Sequence, residues 1–297
     1  VALVVPHSPW TVGNPEHFDR KALKLPENLA DTPETRDDYA KYLAEIEVLD
    51  QQVGATLDLL EECGRAEDTV VLFTSEQGSQ FPGNKWTNWN TGVHTTMVAR
   101  WPGQVAAGKR TDAIVQFVDV VPTFIELAGG NPAALDLDGR SFQAVLRGQS
   151  EKHREYAYFM HNNIPEGPPY PIRAVTDGKY HYIRNLRPEL IYIEKHLMGQ
   201  NQWHQYWPTW VVDTTFSPRT NMLVNRYLTR PAEQLYRMDQ DPYEMNDLAS
   251  DAEHAAALER LSAELDRWMA AQGDPGAVID SEAQWDAAKK GQHFARE

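Results

Sequence analysis

Three short segments hold the side chains with the most chemical reach. The first is Pro6-His7-Ser8-Pro9-Trp10, which places a histidine between two prolines directly after an apolar run. Such a histidine can move a proton, or it can hydrogen-bond the backbone and serve only the loop. The second is Phe73-Thr74-Ser75-Glu76-Gln77-Gly78, where a carboxylate and an amide follow a run of strand-forming residues. Two oxygen-bearing side chains there suit a hard divalent cation such as Ca2+ or Mg2+, and also suit an ordinary polar turn. The third is Gly83-Asn84-Lys85-Trp86, a lysine in a glycine-containing loop. Its ammonium can act as a point charge on a sulfate or phosphate oxygen, or be solvated like most lysines.

Each segment needs an element to aim it. Val1-Ala2-Leu3-Val4-Val5 reads as a buried parallel strand already in progress, so further sequence is expected before it. A Pro- and charge-rich loop runs from Ser8 to about Pro33. Thr32-Pro33 then starts a helix, with Tyr39, Leu43, Ile46, Val53, Leu57 and Leu60 spaced by helical turns and Gly64 as its stop. Thr69 to Thr74 is a second buried strand, Thr95 to Trp101 a third, and Val118 to Ala128 a helix with Pro122 in its first turn. Helix, strand and polar loop in succession give an α/β pattern, in which functional groups gather at the C-terminal ends of strands.

From about Leu146 the texture changes. Tyr156–Met160, Ile172–Val175, Tyr180–Arg184 and Glu233–Met238 read as short antiparallel strands, with Asp177-Gly178 as a turn. Ala249 to about Gln272 closes the chain as a helix with Leu258, Leu261, Leu265, Trp268 and Met269 on one face. The expected division is residues 1–147 as an α/β domain and 148–297 as a smaller antiparallel subdomain.

Composition sets outer limits. The 297 residues are 41% hydrophobic and 24% charged, as in an ordinary globular protein, with a net charge of −15. A diffuse acidic balance without a basic run argues against a nucleic-acid partner. No run of eighteen apolar residues predicts a membrane helix. Cys63 is the one cysteine, which excludes an internal disulfide. The nine Trp and twelve Tyr point first to a large core, and Trp203, Trp207 and Trp210 are read as packing or as a sugar subsite.

Taken in order, the His-x-Pro-Trp segment, the amphipathic helix, the strand ending Thr-Ser-acid-amide-Gly, Lys85 and Arg100-Trp101-Pro102-Gly103 resemble the type I sulfatases of the alkaline-phosphatase superfamily. Leu235-Tyr236, Asp241-Pro242-Tyr243-Glu244 and Asn246-Asp247-Leu248 resemble that family's C-terminal segment. Within the family, His161-Asn162-Asn163, Pro171 to Val175 and Tyr182 to Leu186 resemble the sulfamidase (N-sulfoglucosamine sulfohydrolase) branch. The resemblance implies an alkaline-phosphatase-like mixed sheet flanked by helices, truncated at its N-terminus, with a small C-terminal α+β subdomain.

It also implies a calcium-dependent hydrolase of sulfuric esters or sulfamates on a sulfated saccharide. A formylglycine nucleophile would be installed by a formylglycine-generating or anaerobic maturation enzyme, and the protein would be periplasmic or secreted. Carried over by position, His7 would contact sulfate or act as general acid, Lys85 would bind a sulfate oxygen, and Glu76 and Gln77 would be calcium ligands. His161, Glu166 and Arg173 would face the sugar, with Arg173 alternatively a structural cation. The family's usual pair at the metal is Asp followed by Asn or His, so Glu76-Gln77 carries one extra methylene on each ligand. Cys63, followed by Gly-Arg-Ala-Glu, does not match the Cys/Ser-x-Pro/Ala-x-Arg nucleophile motif. The nucleophile and the family's paired acids are expected upstream of Val1, leaving this chain inactive alone. The rival readings are a phosphodiesterase or phosphonate hydrolase of the same superfamily, and a non-catalytic glycan-binding protein.

Overall fold

The computed structural model describes residues 1–198 and 203–278, together with Asp286 and Lys290. In chain order the helices are α1 (Pro33–Glu62), α2 (Asn90–Val93), α3 (Val120–Leu127), α4 (Gln143–Leu146), α5 (Lys195–Met198), α6 (Tyr206–Asp213), α7 (Pro218–Leu228) and α8 (Ala255–Ala271). The strands are β1 (Val71–Thr74), β2 (Met97–Arg100), β3 (Ala157–His161), β4 (Ile172–Thr176), β5 (Tyr180–Asn185) and β6 (Glu233–Arg237).

The helix α1 starts and stops where its residues dictate. The Thr32 hydroxyl accepts the Thr35 N–H at 3.1 Å, Pro33 occupies the first turn, and Gly64 follows the C-cap with φ +66°. Its most buried positions are small or polar: Thr35, Asp38, Ala40, Ala44 and Glu45. Leu43, Ile46, Val53, Leu57 and Leu60 are half-buried. Cys63 is exposed at the helix end.

The strands β1 and β2 pair antiparallel, Val71 opposite Arg100 through Thr74 opposite Met97, and β1 is half-buried along its length. Residues 1–5 form no strand, contrary to the sequence expectation. Val1 is 99% exposed and Val4 80% exposed. A buried strand needs hydrogen-bonding neighbours, and among the described residues β1 and β2 pair only with each other.

The second sheet runs β3-β4-β5-β6, all antiparallel. One face packs on α8 through Val175, Tyr182, Leu235, Leu261 and Leu265, with Leu258, Trp268 and Met269 at the margin, as the apolar stripe predicts. The other face carries Ile172, Ala174, Ile183 and Tyr236 into a larger core shared with Trp10, Phe81 and Trp89. Trp207 (6% exposed) and Trp210 (1%) belong to that core and do not line a sugar subsite, while Trp203 is 49% exposed.

Buried polar contacts join the two sheet regions. The Asp119 carboxylate accepts Arg154 Nε at 2.7 Å and the backbone N–H groups of Arg140 and Gln116. Glu244 accepts the Asn90 N–H at 2.6 Å and the ring N–H of His181 at 2.5 Å. The hydroxyls of Tyr192 and Tyr206 donate to the carbonyls of Trp86 and Gln80, each at 2.6 Å.

Candidate active site

The loops after β1 and β3 meet over a cavity of about 510 Å³. It is lined by His7, Gln77, Gln80, Lys85 and Trp86 from one side, and by His161, Ile164, Glu166 and His196 from the other.

The loop after β1 is held by close backbone approach. A Cβ on Gly78 would lie 2.0 Å from the Thr91 carbonyl oxygen, and one on Gly92 would lie 2.4 Å from that of Asn84. Only glycine lets these strands of loop cross. Trp86 has φ +66°, a region that costs a bulky residue about 1–3 kcal/mol. The Tyr192 hydroxyl fixes that conformation through the Trp86 carbonyl, so the lysine and the indole both reach the cavity wall. The indole stacks on His196 at 5.3 Å between centroids, and the Lys85 ammonium lies 5.0 Å from its ring centre.

The His7 ring is oriented by its neighbours. Nδ1 lies 2.6 Å from the Ser8 carbonyl oxygen, which can only accept, so the proton is assigned to Nδ1. Nε2 is left facing the Lys85 ammonium at 3.5 Å. The Trp10 indole N–H donates to the Pro6 carbonyl at 3.1 Å, and Glu45 accepts the Thr11 N–H at 2.7 Å, closing the rest of the loop.

On the facing side, Asn163 adopts φ +64° and donates to the carbonyls of Pro168 and Ile193. The Lys195 N–H donates to the Glu166 carbonyl at 2.9 Å. Burial pushes His161 down to about 4, with Arg230 and Arg173 adding to the fall against a hydrogen bond donated to Asn163, so the ring is neutral at neutral pH. Burial also lowers His196, aided by Lys195, Lys85 and His7 and opposed by Glu166. Below them, burial pushes the Glu194 carboxyl up to about 7, although the N–H groups of His196 and Leu197 donate to it at 2.9 and 2.8 Å.

Five of the seven residues expected at the site therefore line this cavity: His7, Gln77, Lys85, His161 and Glu166. Glu76 is exposed on the same loop and does not line it. Arg173 is absent from the lining as well. It is fully buried, pairs with Asp274 through two nitrogens and donates to Asn162 at 2.8 Å. It is thus the structural cation of the two alternatives. Gln80, Trp86, Ile164 and His196 were not singled out by sequence reasoning.

A calcium ion takes six to eight oxygen ligands. Glu76 and Gln77 supply three oxygens at most, and among the described residues no group of three or more His, Cys, Asp or Glu is placed to hold a metal. This chain's residues do not by themselves make that site. What they do make is a cavity with cationic and proton-bearing groups on one wall and a carboxylate and a neutral imidazole on the other.

Residues 1–130 match the sulfatase family model, and residues 84–193 match the model for the N-sulphoglucosamine sulphohydrolase C-terminal region. These two matches support a likeness to the type I sulfatases. Over residues 84–193 the likeness is to the sulfamidase C-terminal pattern. It is 29% identical to an ulvan-active sulfatase of Formosa agariphila, over 88% of this chain and 43% of that protein. It is 25% identical to human N-sulphoglucosamine sulphohydrolase, over 90% of this chain and 54% of that protein. The chain thus spans about half the length of the curated relatives it matches. A solved protein in complex with its substrate D-glucosamine-2-N,6-O-disulfate shares the fold, with a TM-score of 0.60 at 20% identity over 84% of this chain and 45% of that one.

Proposed function

We propose that the protein containing this chain releases sulfate from a sulfated saccharide, cleaving a sulfuric ester or sulfamate. The observation that carries this reading is the convergence of His7, Gln77 and Lys85 with His161 and Glu166 on one cavity. Lys85 would hold a sulfate oxygen, meeting the negative charge that grows there as the S–O or S–N bond breaks. His7 would present Nε2 to the leaving atom and deliver a proton from it when the ring is doubly protonated. Its Nδ1–H bond to Ser8 holds the ring in place in either protonation state. Glu166 would accept hydrogen bonds from sugar hydroxyl or amino groups, with His161 beside it.

The sulfatase family generally uses Ca2+ and formylglycine. In the whole protein Glu76 and Gln77 would be two of the calcium ligands, and the other ligands and the formylglycine would come from outside these residues. Calcium there would neutralise sulfate oxygens. The ulvan-active and sulfamidase relatives support a polysaccharide or glycosaminoglycan sugar, and such a substrate fits a periplasmic or secreted protein.

The test is to produce the intact protein with a formylglycine-generating or anaerobic maturation enzyme. Sulfate release from N-sulfated and O-sulfated glucosamine and from ulvan oligosaccharides is then measured, with and without calcium chelation. Lys85→Ala is expected to lower kcat/KM by on the order of 10²- to 10³-fold, the scale of losing one preorganised charge-stabilising group. Release that is unaffected by both Lys85→Ala and His7→Ala would overturn the assignment.

A further inference from the structure

We infer that His204 is a positioning residue for His7, acting from the C-terminal half of the chain through Ser8. What His7 does for turnover rests on the sulfatase reading, but the contacts do not depend on it.

The argument follows one hydrogen-bonded path. His204 Nε2 shares a hydrogen bond with Ser8 Oγ, across 196 positions of sequence. The Ser8 carbonyl accepts His7 Nδ1–H at 2.6 Å. His7 Nε2 faces Lys85 at 3.5 Å across the cavity wall. Ser8 is therefore gripped by its side chain on one side while its carbonyl steers the imidazole on the other. A carbonyl free to rotate would leave both His7 tautomers accessible. A carbonyl held in place keeps the proton on Nδ1 and fixes the ring plane, so Nε2 stays aimed into the cavity, where it can take up and deliver a proton.

His204 is itself closely packed. It is 4% exposed, and its ring is 4.6 Å from that of Trp10 and stacked on Tyr206 at 5.2 Å between centroids. Burial, with a smaller contribution from Lys41, pushes it down to about 4, so its ring is neutral across the working range and its bond to Ser8 does not switch there. The surrounding aromatics would pack as well around a phenyl ring. A nitrogen aimed at a loop serine is what the position gains from histidine.

The test uses the intact protein with histidine-selective 15N labelling, reading the His7 tautomer from its ring nitrogen shifts alongside kcat and KM for sulfate release. The variants are Ser8→Ala, His204→Phe, which keeps the aromatic packing, and His204→Gln, which restores a hydrogen-bonding group near the Nε2 position. The wild type is expected to show His7 as a single Nδ1–H tautomer. Ser8→Ala and His204→Phe are expected to show a tautomer mixture, with kcat lowered on the order of 10- to 100-fold and KM within about twofold. His204→Gln is expected to recover the single tautomer and most of kcat. The inference is overturned if His204→Phe retains both the single tautomer and kcat, or if His204→Gln falls as far as His204→Phe. If the wild type releases no sulfate, the sulfatase reading fails, and the tautomer measurement alone decides the role of His204.

Discussion

Strands β1 and β4 are of similar length, and β4 even contains an arginine, yet their surroundings are opposite. Every residue of β1 is half-buried, whereas Ile172, Arg173, Ala174 and Val175 of β4 are all buried. The difference lies in the neighbours. β4 has a strand on each side and α8 across one face, while β1 has only β2 among the described residues. The loop that carries Gln77, Lys85 and Trp86 follows the less covered strand. It draws its order from outside its own sheet, from Tyr192, Tyr206 and Glu244. One region supplies the reactive side chains and the other supplies their rigidity.

The sharpest way to break that division is to damage the rigid side. Arg173→Ala leaves Asp274 buried without its cation and should cost about 3–5 kcal/mol in denaturant unfolding. Asp119→Asn weakens the charge-assisted bonds to Arg154 and should cost about 1.5–3 kcal/mol by the same measurement. Tyr192→Phe deletes the hydrogen bond to the Trp86 carbonyl and should cost about 1 kcal/mol. Because that bond holds a left-handed backbone at the cavity, substrate affinity should fall in the same variant, which calorimetry with a sulfated glucosamine would show.

Acidity separates the regions more gently. Glu194 is raised to about 7 in the fold, so its contribution is full below its ordinary value of 4.5 and is lost as pH rises toward about 7. Unfolding free energy should therefore decline across that interval, and the decline should be shallower in Glu194→Gln. Asp119 acts in the reverse sense. Burial would raise it, but Arg154 and two backbone N–H groups outweigh that and leave it below 3.8, so its contribution is present above 3.8 and lost in stronger acid. Glu76→Gln, on an exposed side chain, should shift stability by less than about 0.5 kcal/mol.

Much of this site was legible in the chain because its residues sit in short motifs that carry their own signals. His7 lies between prolines, Gln77 follows a strand, Lys85 lies in a glycine loop, and His161 and Glu166 flank a turn. Helix α1 and the stripe on α8 were legible by caps and periodicity. What was not legible depends on distant partners. Arg173 reads as a loop-facing cation until Asp274, 101 positions later, is brought against it. His196 sits on a four-residue helix too short to show a period. Trp86 reads as a mere neighbour of Lys85 until its backbone conformation turns it to the cavity. The run Val1–Val5 has strand composition, but composition cannot supply the ladder partners a strand requires.

The 196-residue span between Ser8 and His204 also sets a clock. At about 5–20 residues per second of synthesis, the histidine loop waits roughly 10–40 s on the ribosome before its anchor exists. For the part of that interval between residues 86 and 192, Lys85 and Trp86 are already made, but Tyr192 and His204 are not. A message broken off between the codons for residues 90 and 190 would therefore yield the cationic loop without the groups that aim it.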